Sequence, residues 1–187
     1  MASFRSKYSE AYDAYNNDEI DHAIGLMKKF AEQEDVKACL SLAWWYYRSG
    51  DHKNSIFWWS EIVRLAKQDN AEAQWQLGEY YRLGNFVPFS LEESEYWCKR
   101  AADNGSGEAQ CYLGYLYKYD PTKKDKTLSD YWYQKAFEQG EPEALCEFAT
   151  RRLHTNNSDK QAIAWLQEAA DKGFDHAQEI LDQFSAH

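Results

Sequence analysis

Hydrophobic residues recur along this chain at the spacing of buried helix faces. From Ala73, the buried stripe continues through Leu77 and Tyr81, which matches the 3.6-residue period of an amphipathic helix. A second helical pattern contains Trp97 and ends at Gly105, a residue type that often closes a helix. The pattern therefore predicts two helices joined by a turn.

This helix pair is repeated along the chain. An alanine marks each first helix, and the intervals between successive markers are 35, 36, 35 and 33 residues. The marker residues are Ala38, Ala73, Ala109, Ala144 and Ala177. Repeats of this length with two helical halves are typical of stacked helical solenoids. The sequence therefore predicts an all-α solenoid of about five helix-turn-helix repeats plus a C-terminal capping helix.

We expect residues 1–187 to form a single solenoid domain. Residues 1–35 carry a divergent first repeat, residues 36–176 four full repeats, and residues 177–187 the capping helix and tail. Terminal repeats usually depart from the consensus, because they close the core on one side.

Several residues are expected in the core because of their position in the repeat. These aromatic residues are Trp59, Trp97, Trp132, Trp165, Tyr46, Tyr81 and Tyr117. In the first full repeat Trp58 and Trp59 stand where one tryptophan is expected; we assign Trp59, and we expect a longer second helix there. Gly78 and Gly114 lie inside first helices, where glycine is unfavourable, so we expect each to mark a close approach between neighbouring repeats.

Charge and hydropathy narrow the class of partner. The formal net charge is −10 and the pI is about 5.0, which argues against nucleic acid, since binding to phosphate needs lysine and arginine. The same charge argues against an anionic membrane surface. No apolar run is long enough to span a membrane, and the N-terminus lacks the apolar region of a secretory signal. We therefore expect a cytoplasmic protein with a basic protein or peptide partner.

No group of residues in the sequence predicts catalysis. The five histidines are scattered, and the four cysteines lack zinc-binding spacing. Ser106 lies in a turn between repeats with no strand before it, so it does not fit a nucleophile elbow. We expect buried thiols, no metal, no cofactor, no catalytic residue and no enzymatic activity.

The remaining aromatic residues point to a binding surface. Positions 2, 3, 6, 9 and 10 after each marker alanine face away from the predicted core stripe. The candidate partner-binding residues at these positions are Trp44, Tyr47, Trp75, Glu79, Arg82, Tyr112, Tyr115, Lys118 and Tyr119. Tryptophan, tyrosine and arginine dominate the energetics of protein interfaces. The alternative is that a tightly curved solenoid buries these side chains between successive repeats.

The repeat motif resembles the Sel-1-like repeat, a family related to the tetratricopeptide repeat. The second full repeat carries the motif at Ala73, Leu77, Gly78, Tyr81, Gly84, Val87, Trp97, Ala101, Ala102 and Gly105. The resemblance covers residues 36–184. It implies a right-handed superhelix of α/α units that serves as an adaptor, with the first helices lining the concave face.

The resemblance and the outward aromatic residues favour a non-enzymatic module that binds a protein or peptide in an aromatic concave groove. The family includes bacterial immunity proteins, so a narrower hypothesis is neutralisation of a cognate toxin. A multi-partner adaptor or assembly scaffold is the main alternative. A third option is a hydrolase like those of the secreted, cysteine-rich branch of the family, whose cysteine arrangement this chain lacks.

Overall fold

A computed structural model describes residues 7–185 of the chain, so residues 1–6, residue 186 and His187 lie outside the described residues. Within that range the chain forms eleven helices and no strand. The helices are α1 (Ser9–Asn16), α2 (Ile20–Ala31), α3 (Val36–Arg48), α4 (His52–Lys67), α5 (Ala71–Leu83), α6 (Leu91–Asp103), α7 (Gly107–Tyr119), α8 (Lys126–Glu138), α9 (Pro142–Leu153), α10 (Lys160–Asp171) and α11 (Asp175–Ser185).

The helices pack as successive antiparallel pairs, which confirms the predicted all-α repeat solenoid. We call α1, α3, α5, α7 and α9 the A helices, and α2, α4, α6, α8 and α10 the B helices. Helix α3 packs on α4, α7 on α8, and α9 on α10. Helix α11 packs on α10 and α9, at the place predicted for the capping helix.

The chain divides into two compact units, Met1–Leu77 and Gly78–His187. In the first unit Met27, Leu42 and Ile62 are fully buried core residues. In the second unit a core cluster on α9, α10 and α11 includes Leu153 and Leu166. A single domain spanning the whole chain stays a prediction.

Short polar side chains and left-handed residues set the ends of the helices. The Asp35 side chain accepts a hydrogen bond from the Ala38 N–H at 2.9 Å, and Ser106 accepts one from the Ala109 N–H at 3.2 Å. Ser106 is therefore the N-cap of α7. Left-handed backbone follows the B helices at Gly105, Gly140 and Gly173, and also at Glu34 and Asp69 of the first unit. The predicted glycine turn thus has the same backbone form even where the glycine is missing.

The core tryptophan of the first full repeat is Trp58, so the assignment of Trp59 was wrong. Trp58 is only 8% exposed, whereas Trp59 is half-buried and lines an open surface groove. Ser55, three residues before Trp58, donates a hydrogen bond to the Ala43 carbonyl at 2.9 Å. Ser129 occupies the same position before Trp132 in its repeat and bonds the Gly114 carbonyl at 2.8 Å. These paired serines fix the register of each B helix on its A helix.

The length of α4 explains the misassignment. This helix has 16 residues, whereas the other B helices have 12 or 13. The longer second helix was predicted and is confirmed. Of the other aromatic residues expected in the core, Trp97, Trp132 and Tyr46 are buried, and Trp165, Tyr81 and Tyr117 are half-buried.

The helix glycines lie at close contacts, but within a repeat rather than between repeats. A Cβ atom on Gly78 would lie 2.5 Å from the Cys98 Sγ, and one on Gly114 would lie 2.7 Å from the Cγ of Tyr133. Cys98 and Tyr133 belong to the B helix of the same repeat. The close approach was predicted correctly, and the expected partner, a neighbouring repeat, was wrong.

Candidate protein-binding face

The outward face of α3 carries a pair of exposed aromatic rings in the first unit. Trp44 and Tyr47 are 47% and 51% exposed. Their ring centroids are 5.9 Å apart and the ring planes are tilted by only 23°. The two residues are three positions apart, which places them side by side on one helix face. Trp75, on α5, is half-buried.

A second aromatic pair lies on α7 in the second unit. Tyr115 and Tyr119 are 52% and 54% exposed, and their ring centroids are 4.8 Å apart. Tyr112, one turn earlier, is half-buried, and burial raises its pKa. The face therefore offers two exposed rings beside one that is partly covered.

The charged residues predicted on this face are held by partners within their own unit. Glu79 accepts two hydrogen bonds from the Arg82 guanidinium, at 2.8 and 2.7 Å. Lys118 donates to both carboxylate oxygens of Glu147, at 2.6 and 2.8 Å. The Lys118 Nζ also lies 4.9 Å from the centroid of the Tyr119 ring, within cation–π range. These charges are thus oriented before any partner binds.

The structure narrows the outward register that the sequence predicted. Side chains at position 6 after the marker alanine, such as Trp44, are exposed or half-exposed, and so are those at position 9, such as Tyr47, except Leu153 of the fourth repeat, which is buried. Position 2 is more enclosed, since Cys111 and Cys146 are buried there. Cys111 packs in a cluster with Tyr133 of α8 and Ala144 of α9. The nine candidate residues are divided between the two units: the first contains Trp44, Tyr47 and Trp75, and the second contains the other six. That all nine line one groove therefore stays a prediction.

Sequence reasoning missed a cavity in the second unit. Its volume is about 510 Å³, within the range of ligand-binding pockets. The lining residues are Tyr115, Lys118, Tyr119, Tyr133, Glu143, Cys146, Glu147, Thr150, Arg151, His154, Phe174, His176 and Ile180. The outward positions of the fourth repeat include Glu147, Thr150 and His154. The helical spacing could therefore have indicated the part of the cavity lining that α9 contributes. Nothing in the repeat pattern indicates Phe174, which immediately precedes α11, or His176, in its first turn.

Ion pairs join three helices at the edge of this cavity. Glu147 of α9 accepts hydrogen bonds from Lys118 of α7 and, at 2.8 Å, from the Nε of Arg151. The Nη1 of Arg151 donates to Asp130 of α8 at 2.7 Å. Since the Glu147 side chain is only 15% exposed, the network is partly shielded from solvent and fixes the position of its charges.

The repeat motif assigns the chain to a family. The family model described as the Sel1 repeat matches residues 71–106, 107–141 and 155–174. This chain is a Sel1-repeat protein. The match confirms the predicted family resemblance. Sel1 repeats form a protein-interaction fold, so the fold suits recognition of proteins.

Solved structures similar to this Sel1-repeat chain have the same fold. A Sel1 repeat protein from Oxalobacter formigenes is 27% identical with a TM-score of 0.56, and the match covers 66% of this chain and 96% of that one. A protective antigen of uropathogenic Escherichia coli that displays an SLR fold is 26% identical with a TM-score of 0.58, over 85% of this chain and 35% of the antigen.

An immunity protein from Pseudomonas aeruginosa is a third similar structure. It is 18% identical with a TM-score of 0.56, and the match covers 100% of this chain and 84% of that one. At this identity the likeness is one of fold. No functionally curated protein gives a significant match to the chain.

The four thiols of this Sel1-repeat chain are buried and unpaired. Burial raises the pKa of Cys39 and Cys146 to about 11 and that of Cys98 to about 12. Burial also raises the pKa of Cys111. Thiols with such values are protonated at neutral pH and are poor nucleophiles.

Within residues 7–185, no three or more histidine, cysteine or acidic side chains are grouped closely enough to hold a metal ion. None of the helices in the described part of the chain has both the length and the apolar character needed to cross a membrane.

We expect the protein to lose stability as the pH rises above about 9. The unfolded thiols ionise near their ordinary pKa of about 9.0, whereas the folded ones ionise only near 11 or 12. Deprotonation therefore favours the unfolded state between these values, so stability present below pH 9 is lost as the pH rises. Urea unfolding at a series of pH values from 8 upwards measures this slope.

Cys98→Ala provides the control, because it removes one buried thiol, whose pKa is raised to about 12. The slope should decrease in this variant without vanishing, since three buried thiols remain. Alkylation of the four thiols at equal rates in native and denatured protein would contradict the raised pKa values.

Proposed function

We propose that this Sel1-repeat chain is a non-enzymatic module that binds a protein or peptide through the outward face of its A helices. The observation that carries the proposal is the pair of exposed aromatic clusters, Trp44 with Tyr47 and Tyr115 with Tyr119. Large aromatic side chains have much area to bury on binding. Aromatic anchors of this kind supply most of the affinity in protein interfaces.

The partner is basic. The chain carries a net charge of −10, which attracts a positively charged protein and accelerates association. Since the exposed part of this attraction is screened by ions, binding should weaken as salt concentration rises. The aromatic side chains supply affinity, and the acidic field supplies steering.

The proposed biological role is neutralisation of a cognate toxin by direct binding. The fold shared with an immunity protein from Pseudomonas aeruginosa, over 100% of this chain, supports this role. A neutralising protein should bind one partner at a fixed ratio and inhibit the activity of that partner to completion at that ratio.

Removing one exposed aromatic side chain is expected to weaken partner binding. Trp44→Ala and Tyr115→Ala should each cost ~2 kcal/mol or more, about 30-fold in affinity, because each removes an interface anchor. A pull-down with the intact chain as bait recovers the partner that binds at a fixed ratio. Isothermal titration of that partner with the parent and with each variant then measures the affinities.

The chain offers matched controls on its B helices. Phe57 and Tyr96 are both 51% exposed, and these exposed fractions are similar to those of Trp44 and Tyr115. Phe57→Ala and Tyr96→Ala should therefore bind the partner like the parent. Parental affinity in both A-helix variants would overturn the proposed face, and unfolding of Trp44→Ala would make that residue a core residue instead.

A multi-partner scaffold is the second candidate, and the B helices carry the observation that favours it. Phe57, Tyr96 and Tyr131 are exposed and each immediately precedes a core tryptophan. They give the B helices of both units exposed aromatic residues. A pull-down that recovers several partners, each in less than a stoichiometric amount, would favour the scaffold over the neutralising protein. In that case at least one partner should fail to bind only the variants with substitutions on the B helices.

A further inference from the structure

The cavity of the second unit contains a carboxylate that lacks a cation. Glu143 lies in the first turn of α9, lines the cavity and is exposed to solvent there. Among the described residues its carboxylate forms no side-chain hydrogen bond and no ion pair. Burial and the neighbouring Glu147 raise its pKa, as expected for a partly desolvated charge with no counter-ion.

The lysine and the arginine that line the cavity with Glu143 are already engaged. Both oxygens of Glu147 accept from Lys118, and Arg151 is shared between Glu147 and Asp130. Of the two histidines that line the cavity, His176 hydrogen-bonds Glu179 at 2.9 Å, and the His154 ring packs edge-on against Phe184 with ring centroids 6.0 Å apart. The network therefore satisfies its own charges and leaves the negative charge of Glu143 uncompensated at the cavity.

Aromatic rings form much of the remaining wall. Tyr115 and Tyr119 are in contact with each other on α7, and Phe174 lines the cavity near the start of α11. One of these rings already attracts a cation, since the Lys118 Nζ lies 4.9 Å from the Tyr119 centroid. Aromatic faces beside a carboxylate are a favourable environment for a cationic side chain, and arginine makes the larger planar contact.

We propose that the 510 Å³ cavity of the second unit receives an arginine or lysine side chain of the protein partner, with Glu143 as its counter-ion and Tyr115 and Phe174 as its walls. The inference rests on the proposed protein-binding function and assigns the specificity for a basic partner to one site. Charge complementarity chooses the occupant: a cationic side chain pairs with Glu143, whereas an acidic one would place a second negative charge beside it.

Model peptides test the site without knowledge of the natural partner. The probe is the capped pentapeptide acetyl-Ala-Ala-Arg-Ala-Ala-amide, and its matched counterpart carries citrulline, which keeps the shape of arginine and removes the charge. Titration of the intact ¹⁵N-labelled chain, followed by two-dimensional NMR, gives both the affinity and the residues that respond. The arginine peptide should bind about tenfold more tightly than the citrulline peptide and shift signals of cavity residues.

Glu143→Gln is the decisive variant. It should lower affinity for the arginine peptide about tenfold and abolish the preference over citrulline. Glu92→Gln makes the same charge change on the exposed surface of α6, outside the cavity, and should keep the parental preference. Circular dichroism checks that both variants fold.

Three results would overturn the proposal. These are equal binding of arginine and citrulline peptides to the parent, a preference for arginine that survives in Glu143→Gln, and no saturable response at the cavity. Its failure is separable from failure of the proposed function. Loss of the protein partner in Trp44→Ala, together with an unchanged arginine preference in Glu143→Gln, leaves the function standing and rejects the cavity as the site.

Discussion

Trp58→Ala is expected to destabilise the protein by ~3–5 kcal/mol, the usual effect of removing a buried aromatic side chain. Trp58 is only 8% exposed and lies between Ser55 and Ile62 on the buried face of α4. Its removal leaves a cavity that the neighbouring helices can only partly fill. Urea unfolding followed by helical circular dichroism measures the change in the free energy of unfolding.

The adjacent tryptophan is the matched control for this prediction. Trp59→Ala removes the same atoms from a half-buried site beside an open groove, so it should cost less than half as much. Trp44→Ala, on the exposed face of α3, should cost ~1 kcal/mol or less. A larger loss for Trp59 than for Trp58 would return Trp59 to the core position that the repeat spacing first suggested.

Gly114→Leu is expected to cost up to ~3 kcal/mol through overpacking. Even the Cβ atom would lie 2.7 Å from the Tyr133 ring, and that ring is only 2% exposed. The ring cannot swing into solvent without opening the contact between α7 and α8. Thermal and urea unfolding of the intact chain should both show the loss.

Gly25→Ala is the control for glycine replacement within a helix. No atom lies within 4 Å of a Cβ built there, so the alanine should stabilise the protein by ~0.5–1 kcal/mol through helix propensity. If Gly114→Leu unfolds at the parental denaturant concentration, the close contact with Tyr133 is not present in solution.

The fourth repeat indicates a compensating change. Ala149 and Leu166 belong to the same buried cluster at the positions that Gly114 and Tyr133 occupy in the third repeat. Gly114→Ala combined with Tyr133→Leu copies that pair. The double variant should be more stable than the sum of the single changes implies, because the smaller side chain makes room for the added methyl group.

Part of the proposed binding face could be predicted from the sequence. Helical spacing alone placed Trp44, Tyr47, Tyr115 and Tyr119 on outward positions, and the structure leaves them about half exposed. Spacing did not predict the pairing of Lys118 with Glu147, because these residues are 29 positions apart in the chain. It also missed Glu143, which we propose as a counter-ion because of the side chains that line the cavity with it.

The sequence by itself determined the features that depend on local spacing. These are the helix pairs, the turns, the buried stripes and the family, since a 3.6-residue period and a glycine at a helix end act within a few residues. Tertiary structure decided which side chains those local elements meet. The additional length of α4 placed Trp58 in the core, Gly114 met Tyr133 of its own repeat, and residues of α7, α9 and α11 together lined an open cavity. Burial and charge compensation depend on neighbours that only packing brings together.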